Sequence, residues 1–313
     1  MNHIRPALDR SIASGSGATR DGQPMSFSRA PAADLAPWIA RLYVTVVEAP
    51  QDYSFECGLL NDTAFVRMQL GGRWRADTVR GRYHFGREAL FFGPHSRRMP
   101  LRVTGPFTSL GYSLRPGACH ALGGPVVADH VDCITRLDDI GQSGQRMLGL
   151  IDPDACHEEW LVALEDEFRT QLAKSGAREP DPISARFEAT AFTDPSVTIS
   201  GFARECGIEL RRLERLIRRD FGMPPKQVLR RARALDMASH LRGVADHEEA
   251  EALALRYYDQ SHLIREFSEL FGLSPSQFVD TPQPLMTLAL ETRQARRLEM
   301  TERLAPGAIR PWQ

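Results

Sequence analysis

The spacing of apolar residues divides the chain into a β-patterned first half and a helical second half. Between about residues 33 and 137, short apolar runs end at glycine or proline, as in FVRMQL before Gly71 and ALFF before Gly93; another run spans 107–114. Such frequent turns are typical of a small β-barrel or sandwich rather than of βαβ units. The pattern therefore predicts an α+β protein in which the strands come first.

One amphipathic helix is predicted to follow the strands. Its apolar residues recur along one face for about three turns; they are Trp160, Leu161, Leu164, Phe168 and Leu172. This face either packs on the β domain or forms a dimer surface, and the sequence leaves both interpretations open. The glycine and prolines of residues 174–182 predict a linker after it.

Beyond residue 183 the apolar spacing becomes helical and falls into pairs. One buried face is predicted from Ile199 to Cys206, Gly207 interrupts it, and a second face begins at Leu210 and ends at Gly222. Two short amphipathic helices joined at a glycine turn form a helix-turn-helix unit.

A longer helix and a second pair of short helices are predicted next. Pro225 suits the first position of a helix, and the pattern continues to about Arg242. The short helices are predicted at 249–255 and 260–271, the latter ending at Gly272. The inward residues of the longer helix and of the last one are Val228, Ala232, Leu235 and Ala238, then Leu263, Phe267 and Leu270.

Charge is unevenly distributed along this helical half, although the 313-residue chain has 39 basic and 40 acidic side chains. From Glu209 to Arg233 nine bases and three acids give +6, whereas from Asp246 to Glu269 seven acids and two arginines give −5. Arginines surround the second helix of the first unit, which is the footprint of a DNA-facing element. They are Arg211, Arg212, Arg215, Arg218 and Arg219.

Other features of the composition exclude several classes of protein. No apolar run approaches the roughly 18 residues of a membrane span, so we expect no membrane partner. The cysteines are odd in number and without C-x-x-C spacing, as in a reducing cytoplasm; they are Cys57, Cys119, Cys133, Cys156 and Cys206. No catalytic triad, Cys-His pair or phosphate loop is recognisable, so we expect neither an enzyme nor a cofactor.

At the paired helices the sequence resembles the DNA-binding domain of the AraC/XylS family of bacterial transcription regulators. The resemblance covers about residues 183–280, with its motifs in the family's order and spacing. The matching stretches are FARECG at 202–207, L-x-R at 213–215, FGMPP at 221–225, YDQSHLIREF at 258–267 and FGLSPSQF at 271–278.

The resemblance implies two helix-turn-helix units joined by one linking helix, which set two recognition helices into successive major-groove turns on one face of DNA. Arginine pairs with guanine, glutamine with adenine, and glutamate accepts from cytosine. Carried over by position, and with the neighbouring arginines added, the DNA-binding residues are Arg211, Arg212, Glu214, Arg215 and Arg218 in the first unit, and Gln260, Ser261, His262 and Arg265 in the second.

The second unit departs from the family's pattern. Arg256-Tyr257 stands where the family has a glycine followed by an aromatic, and Glu251 replaces a buried aliphatic residue. A non-glycine residue in a left-handed turn costs on the order of 1 kcal/mol. We therefore expect the first unit to supply most of the affinity for DNA and the second to adjust specificity.

The N-terminal half resembles, more faintly, the cupin-like sensor domains of this family, through GYSLRPGA at 111–118 and LDDI at 137–140. Enzymatic cupins hold a metal through a His-x-His pair, a glutamate and a later histidine. His84, Glu88 and His95 are suggestive, but His84-Phe85-Gly86 lacks the paired histidine. We therefore predict no metal site.

These observations together predict a cytoplasmic, sequence-specific transcription regulator that binds double-stranded DNA as a homodimer, responds to a small-molecule effector and has RNA polymerase as a further partner. The alternatives are a cupin-type metalloenzyme fused to a DNA-binding domain, and an adaptor with a degenerate second unit. The expected segments are a flexible leader (1–30), a cupin-like sensor and dimerisation domain (31–173), a linker (174–182), the DNA-binding domain (183–281) and a partly helical tail (282–313).

Overall fold

The computed structural model describes residues 5–245 and 260–313, and its first half is built from strands as predicted. The predicted strand at 65–70 is observed with these bounds, and so is the one at 107–114. The strands are β1 (Ala13–Ser14), β2 (Phe27–Arg29), β3 (Ile39–Glu48), β4 (Ser54–Leu59), β5 (Phe65–Leu70), β6 (Arg73–Thr78), β7 (Gly81–Phe85), β8 (Glu88–Phe92), β9 (Met99–Thr104), β10 (Phe107–Leu114) and β11 (Ile134–Arg136).

The strands form two antiparallel sheets, which do not close into a barrel. The larger sheet has the order β1-β3-β10-β5-β8-β11, with β2 also paired to β3, and the smaller has the order β4-β9-β6-β7. We call residues 13–136 the β domain. Short helices α1 (Ala118–Ala121) and α2 (Gly144–Gly149) and the long α3 (His157–Ser175) accompany it.

The two faces of the larger sheet differ in character because side chains alternate along a strand. On one face, Leu42, Val44, Val66, Met68 and Tyr112 are buried together with α3. The residues of α3 in this cluster are Leu161, Leu164 and Phe168, with Trp160 and Leu172 partly buried beside them. The apolar face of α3 therefore packs on the β domain and is not available as a dimer surface.

The C-terminal half is helical, as predicted. The predicted helix at 260–271 is observed with these bounds, and the linking helix ends within one residue of the expected position. The helices are α4 (Pro182–Thr193), α5 (Ile199–Glu205), α6 (Leu210–Phe221), α7 (Pro225–Leu241), α8 (Gln260–Phe271), α9 (Pro275–Asp280) and α10 (Pro284–Met300). The helix predicted at 249–255, Glu251 and the Arg256-Tyr257 turn lie outside the described residues. Among the described helices, none combines the length and apolarity needed to cross a membrane.

The tail is deeply integrated into the protein. In α10, Leu288, Leu290, Ala295 and Leu298 are buried in a core that also contains residues of the β domain and α7. Near the end of the chain, Trp312 is 4% exposed and belongs to the same core. The tail thus joins the two halves of the protein into one packed body.

Residues 5–30, which belong to the expected flexible leader, are instead packed on the protein. Both β1 and β2 pair with β3, and the side-chain oxygen of Gln23 and the carbonyl of Ala7 accept hydrogen bonds from Arg242. The polar composition of this segment suggested disorder, but its backbone groups and Gln23 are needed to satisfy a buried guanidinium.

Two arginines of the linking helix region are buried between the halves. Arg231 is 1% exposed and donates to the carbonyl of His95 at 2.8 Å. Arg242 is fully buried and donates to the carbonyl of Phe278 at 3.1 Å and to Gln23 Oε1 at 2.7 Å. Burial lowers the pKa of each to about 10, so both remain charged at neutral pH.

Candidate nucleic-acid interface

The first helix-turn-helix unit is formed by α5 and α6, and its ends are set by local sequence. Thr198 Oγ1 accepts from the Gly201 amide at 3.1 Å and caps α5. Gly207 adopts a left-handed φ of 64° in the turn, and Gly222 a φ of 76° at the end of α6. Glycine adopts these angles without the steric cost of a Cβ atom, so the sequence determines where both helices stop.

A small apolar core holds the two helices at their crossing. Phe202 and Ala203 of α5 are buried against Leu213 and Ile217 of α6, and Phe187 of α4 closes the cluster. Phe187 meets Phe202 edge-on with ring centroids 5.0 Å apart. One face of α6 is therefore buried in this core, and the opposite face is exposed to solvent or to a partner.

The exposed face of α6 carries the predicted first-unit residues. All five are exposed, and none forms an ion pair with another described residue; they are Arg211, Arg212, Glu214, Arg215 and Arg218. Arg211, Arg215 and Arg218 lie at spacings of four and three residues, which places them along one side of the helix. This arrangement can contact phosphates and present planar guanidinium groups to base edges.

Four of the nine basic residues between Glu209 and Arg233 are paired with acids or buried inside the protein. Arg219 binds Asp220 at 2.6 Å, Arg230 and Arg233 bind acids of α8, and Arg231 is buried. Leu210, predicted to begin the inward face, is 43% exposed because it stands at the first residue of the helix. Fewer basic side chains are therefore available on the surface of this stretch than its charge of +6 implies.

The recognition helix of the second unit, α8, presents three of its four predicted residues in the same way. Ser261, His262 and Arg265 are exposed, whereas Leu263 and Phe267 are buried. Arg265 Nε donates to the carbonyl of Ser261 at 3.3 Å, one turn earlier on α8. Gln260 is the first residue of the helix.

The two recognition helices are related by a shift of 50 residues. Each has 12 residues and ends before a glycine, Gly222 or Gly272, and Arg215 corresponds to Arg265. At the position equivalent to Glu214 lies Ile264, which is 44% exposed. Ile264 is not among the residues that the sequence predicts to bind DNA, although an exposed aliphatic side chain suits contact with a thymine methyl group.

Acids of the second unit are partly neutralised by the linking helix. Glu266, which is 7% exposed, accepts from Arg233 at 2.8 Å and lies 3.5 Å from Arg230. Glu269 pairs with Arg230, and His262 Nδ1 lies 3.8 Å from Glu266. Of the seven acids between Asp246 and Glu269, two therefore face arginines of α7.

The comparison of this region with protein families agrees with its geometry. A family described as a helix-turn-helix domain matches residues 202–281, which contain both recognition helices. The chain carries an AraC-type helix-turn-helix domain. The AraC-type domain spans α5 to α9, and the linking helix lies at its centre.

Among solved structures, an apo variant of ToxT from Vibrio cholerae has 10% identity to the chain and a TM-score of 0.46, covering 76% of this chain and 96% of that chain. Wild-type ToxT from the same organism with a bound unsaturated fatty acid has 11% identity and a TM-score of 0.44, covering 82% and 96%. The AraC-like transcriptional activator CuxR has 17% identity and a TM-score of 0.28, covering 69% and 88%. No curated protein matches the sequence.

The AraC-type domain is docked on the β domain at the end of its first recognition helix. A Cβ atom on Gly222 would lie 2.8 Å from Val131 Cγ2 and 3.2 Å from the carbonyl of Val127. Asp220 is buried and accepts a hydrogen bond from Ser184 Oγ at 2.5 Å. A change in the short 3-10 helix Val127–His130, or in Val131 after it, would therefore act directly on α6.

The histidines considered as metal ligands are not brought together. His84 is exposed, Glu88 pairs with Arg136 at 2.8 Å, and His95 is fully buried. Burial lowers the pKa of His95 to about 4, with Asp132 opposing and Arg231 adding to this effect. Within 5–245 and 260–313, no three His, Cys, Asp or Glu side chains form a group that could hold a metal ion.

Proposed function

We propose that this protein is a sequence-specific transcription regulator in which α6 and α8 read operator DNA and the β domain responds to a small-molecule effector. The observation that carries the proposal is the exposed arginine face of α6, opposite its buried face. Arg211, Arg212, Arg215 and Arg218 have no acidic partner among the described residues, so their charge is available to phosphates and bases.

The order of contributions follows from the same surfaces. In α8, Arg265 is the only exposed arginine among the described residues, and its neighbours Ser261 and Ile264 are uncharged. The first unit therefore supplies most of the affinity, and the second unit adjusts specificity through Gln260, Ser261, His262 and Arg265. Glu214 adds selectivity in the first unit because a carboxylate accepts from cytosine and repels phosphate.

In vitro site selection with the full-length protein tests this function. We expect an enriched motif for the wild type, and none for the double variant Arg211→Ala/Arg215→Ala. The matched control is Arg73→Ala/Arg82→Ala, which removes two exposed arginines from the β domain and should enrich the same motif as the wild type. Equal enrichment by both double variants would contradict the assignment of α6.

Homodimerisation is the second part of the proposal. A dimer places two copies of the paired units on DNA, so the selected motif should contain two half-sites separated by whole helical turns. Light scattering of the free protein and of its complex with the selected site measures the stoichiometry. Transcription with purified RNA polymerase on that site then distinguishes activation from repression.

A further inference from the structure

A cavity of about 110 Å³ lies between the larger sheet and the final helix, α10, away from the DNA-reading surfaces. Its apolar wall includes Leu59, Phe65 and Trp74 of the β domain and Leu285 and Leu288 of α10. An engineered apolar cavity of about 150 Å³ holds benzene. The volume here therefore suits one compact ring or a short chain.

The wall formed by the larger sheet is polar, which is unusual for an inward face. Alternate residues of β3 and β5 point to the same side, and this side carries Arg41, Tyr43, Thr45 and Arg67, all of which line the cavity. Thr45 is satisfied by a hydrogen bond with Ser26 at 2.7 Å. Some polar side chains of this wall thus form hydrogen bonds with other protein groups, and others face the cavity.

Arg67 is the arginine of this wall whose positive charge has no acidic partner among the described residues. Its Nε donates to Tyr43 Oη at 3.1 Å, and its guanidinium lies 4.9 Å from the ring centroids of both Phe65 and Phe92. No described acid forms an ion pair with it. The aromatic rings hold the guanidinium in place, while its two terminal nitrogens have no described hydrogen-bond partner.

The surroundings of the cavity contain more buried cations than anions. Arg41 pairs with Glu299 at 2.7 Å and Arg293 pairs with both Asp62 and Asp236, but Glu188 is shared by Arg296 and Arg115, and Arg67 has no acidic partner among the described residues. Arg296, which is 7% exposed, also has an Nε atom without a hydrogen-bond partner. Buried charge without compensation is costly. A bound anion would supply the missing charge.

We propose that this cavity binds a small organic monocarboxylate with an apolar body, its carboxylate on Arg67 and its body among Phe65, Trp74 and Leu288. A planar guanidinium pairs with a carboxylate through two parallel hydrogen bonds. The proposal deepens the effector response of the proposed function and rests on it. Because α10 contacts both the cavity and α7, occupancy is transmitted to the linking helix.

Calorimetric titration of the full-length protein without DNA tests the site, with benzoate, phenylacetate and hexanoate as probes. We expect at least one carboxylate to bind with one site per chain, and benzyl alcohol, a neutral analogue, to bind at least about tenfold more weakly. Arg67→Met should weaken carboxylate binding about ten- to a hundredfold, because a charge-assisted pair is lost. Arg73→Met, at an exposed arginine of β6, is the matched control and should bind like the wild type.

A second variant keeps the test decisive if Arg67→Met does not fold. Ala289→Phe places a ring from α10 into the cavity and should abolish carboxylate binding with an unchanged or higher melting temperature. Binding by none of the three carboxylates overturns the proposal, and so does wild-type affinity in a folded Arg67→Met or Ala289→Phe variant. Site selection measures DNA recognition separately, so its failure is distinguishable from a failure of carboxylate binding.

Discussion

Arg293 of the final helix donates from Nη1 to Asp236 Oδ1 of the linking helix at 2.8 Å, and both side chains are less than a tenth exposed. Its Nε donates to Asp62 Oδ2 of the β domain at 3.1 Å. Burial alone would lower the pKa of Arg293, but the two carboxylates outweigh burial and raise it. One guanidinium therefore connects the β domain, the linking helix and the tail.

Asp236→Asn should destabilise the protein by about 3 kcal/mol, the lower end of the range for breaking a buried ion pair, because it removes a carboxylate from Arg293 and Arg297 while Asp62 still pairs with Arg293. Urea denaturation followed by circular dichroism measures the change in the free energy of unfolding. Asp166→Asn is the matched control: Asp166 pairs with Arg169 at 2.8 Å on the exposed surface of α3, so its loss should cost less than about 1 kcal/mol. Equal effects of the two substitutions would show that the buried network is not a stabilising connection.

Gly222→Ala should destabilise the protein more than Gly207→Ala. Both glycines have a left-handed φ, which costs a residue with a Cβ atom on the order of 1 kcal/mol. Only at Gly222 would the added methyl group also clash with Val131 of the β domain; at Gly207 the space is open. The difference between the two melting temperatures isolates the contact between α6 and the β domain, and no difference would argue against that contact.

Arg215→Ala should weaken binding to the selected DNA site about ten- to a hundredfold, as expected for loss of a bidentate base contact. Arg265→Ala, at the equivalent position of α8, should have a smaller effect on affinity and a larger one on sequence preference. Gel-shift titrations at fixed salt concentration measure both effects. Loss of binding in Arg265→Ala with retention in Arg215→Ala would reverse the assigned order of the two units.

Stability should fall as the pH decreases from 7 to 5, partly because of His95. The pKa of this buried histidine is about 4 in the folded protein, against about 6.5 in the unfolded chain. Between these values the unfolded state binds the extra proton. The contribution of His95 is therefore complete above pH 6.5 and is lost as the pH falls towards 4, amounting to about 2 kcal/mol by pH 5.

His95→Gln should flatten this pH dependence in urea denaturation measured at several pH values. His84→Gln is the control, since His84 is exposed on β7 and should leave the slope unchanged. A slope in His95→Gln equal to that of the wild type would mean that carboxylates alone account for the pH dependence.

The sequence by itself determined the local structure and the exposed arginine face of α6. Apolar spacing and glycine stops located α6, α7 and α8, because the period of a helix and the left-handed turns at Gly207 and Gly222 are local properties. The exposed positions of α6, including Arg211 and Arg215, followed from the same periodicity. Ile264 has no comparable signal in the sequence, because an isoleucine carries neither the charge nor the hydrogen-bonding groups that mark a base-reading residue.

Only the tertiary structure decided what the remaining arginines do. In the sequence, Arg231 and Arg218 belong to one basic stretch, but Arg231 is buried between the halves and Arg218 is exposed. Local signals predicted a partly helical tail and a flexible leader but not their packing, because these segments complete a core and satisfy buried charge contributed by distant segments. A side chain's partner across 200 residues is fixed by packing, and packing is not encoded in local spacing.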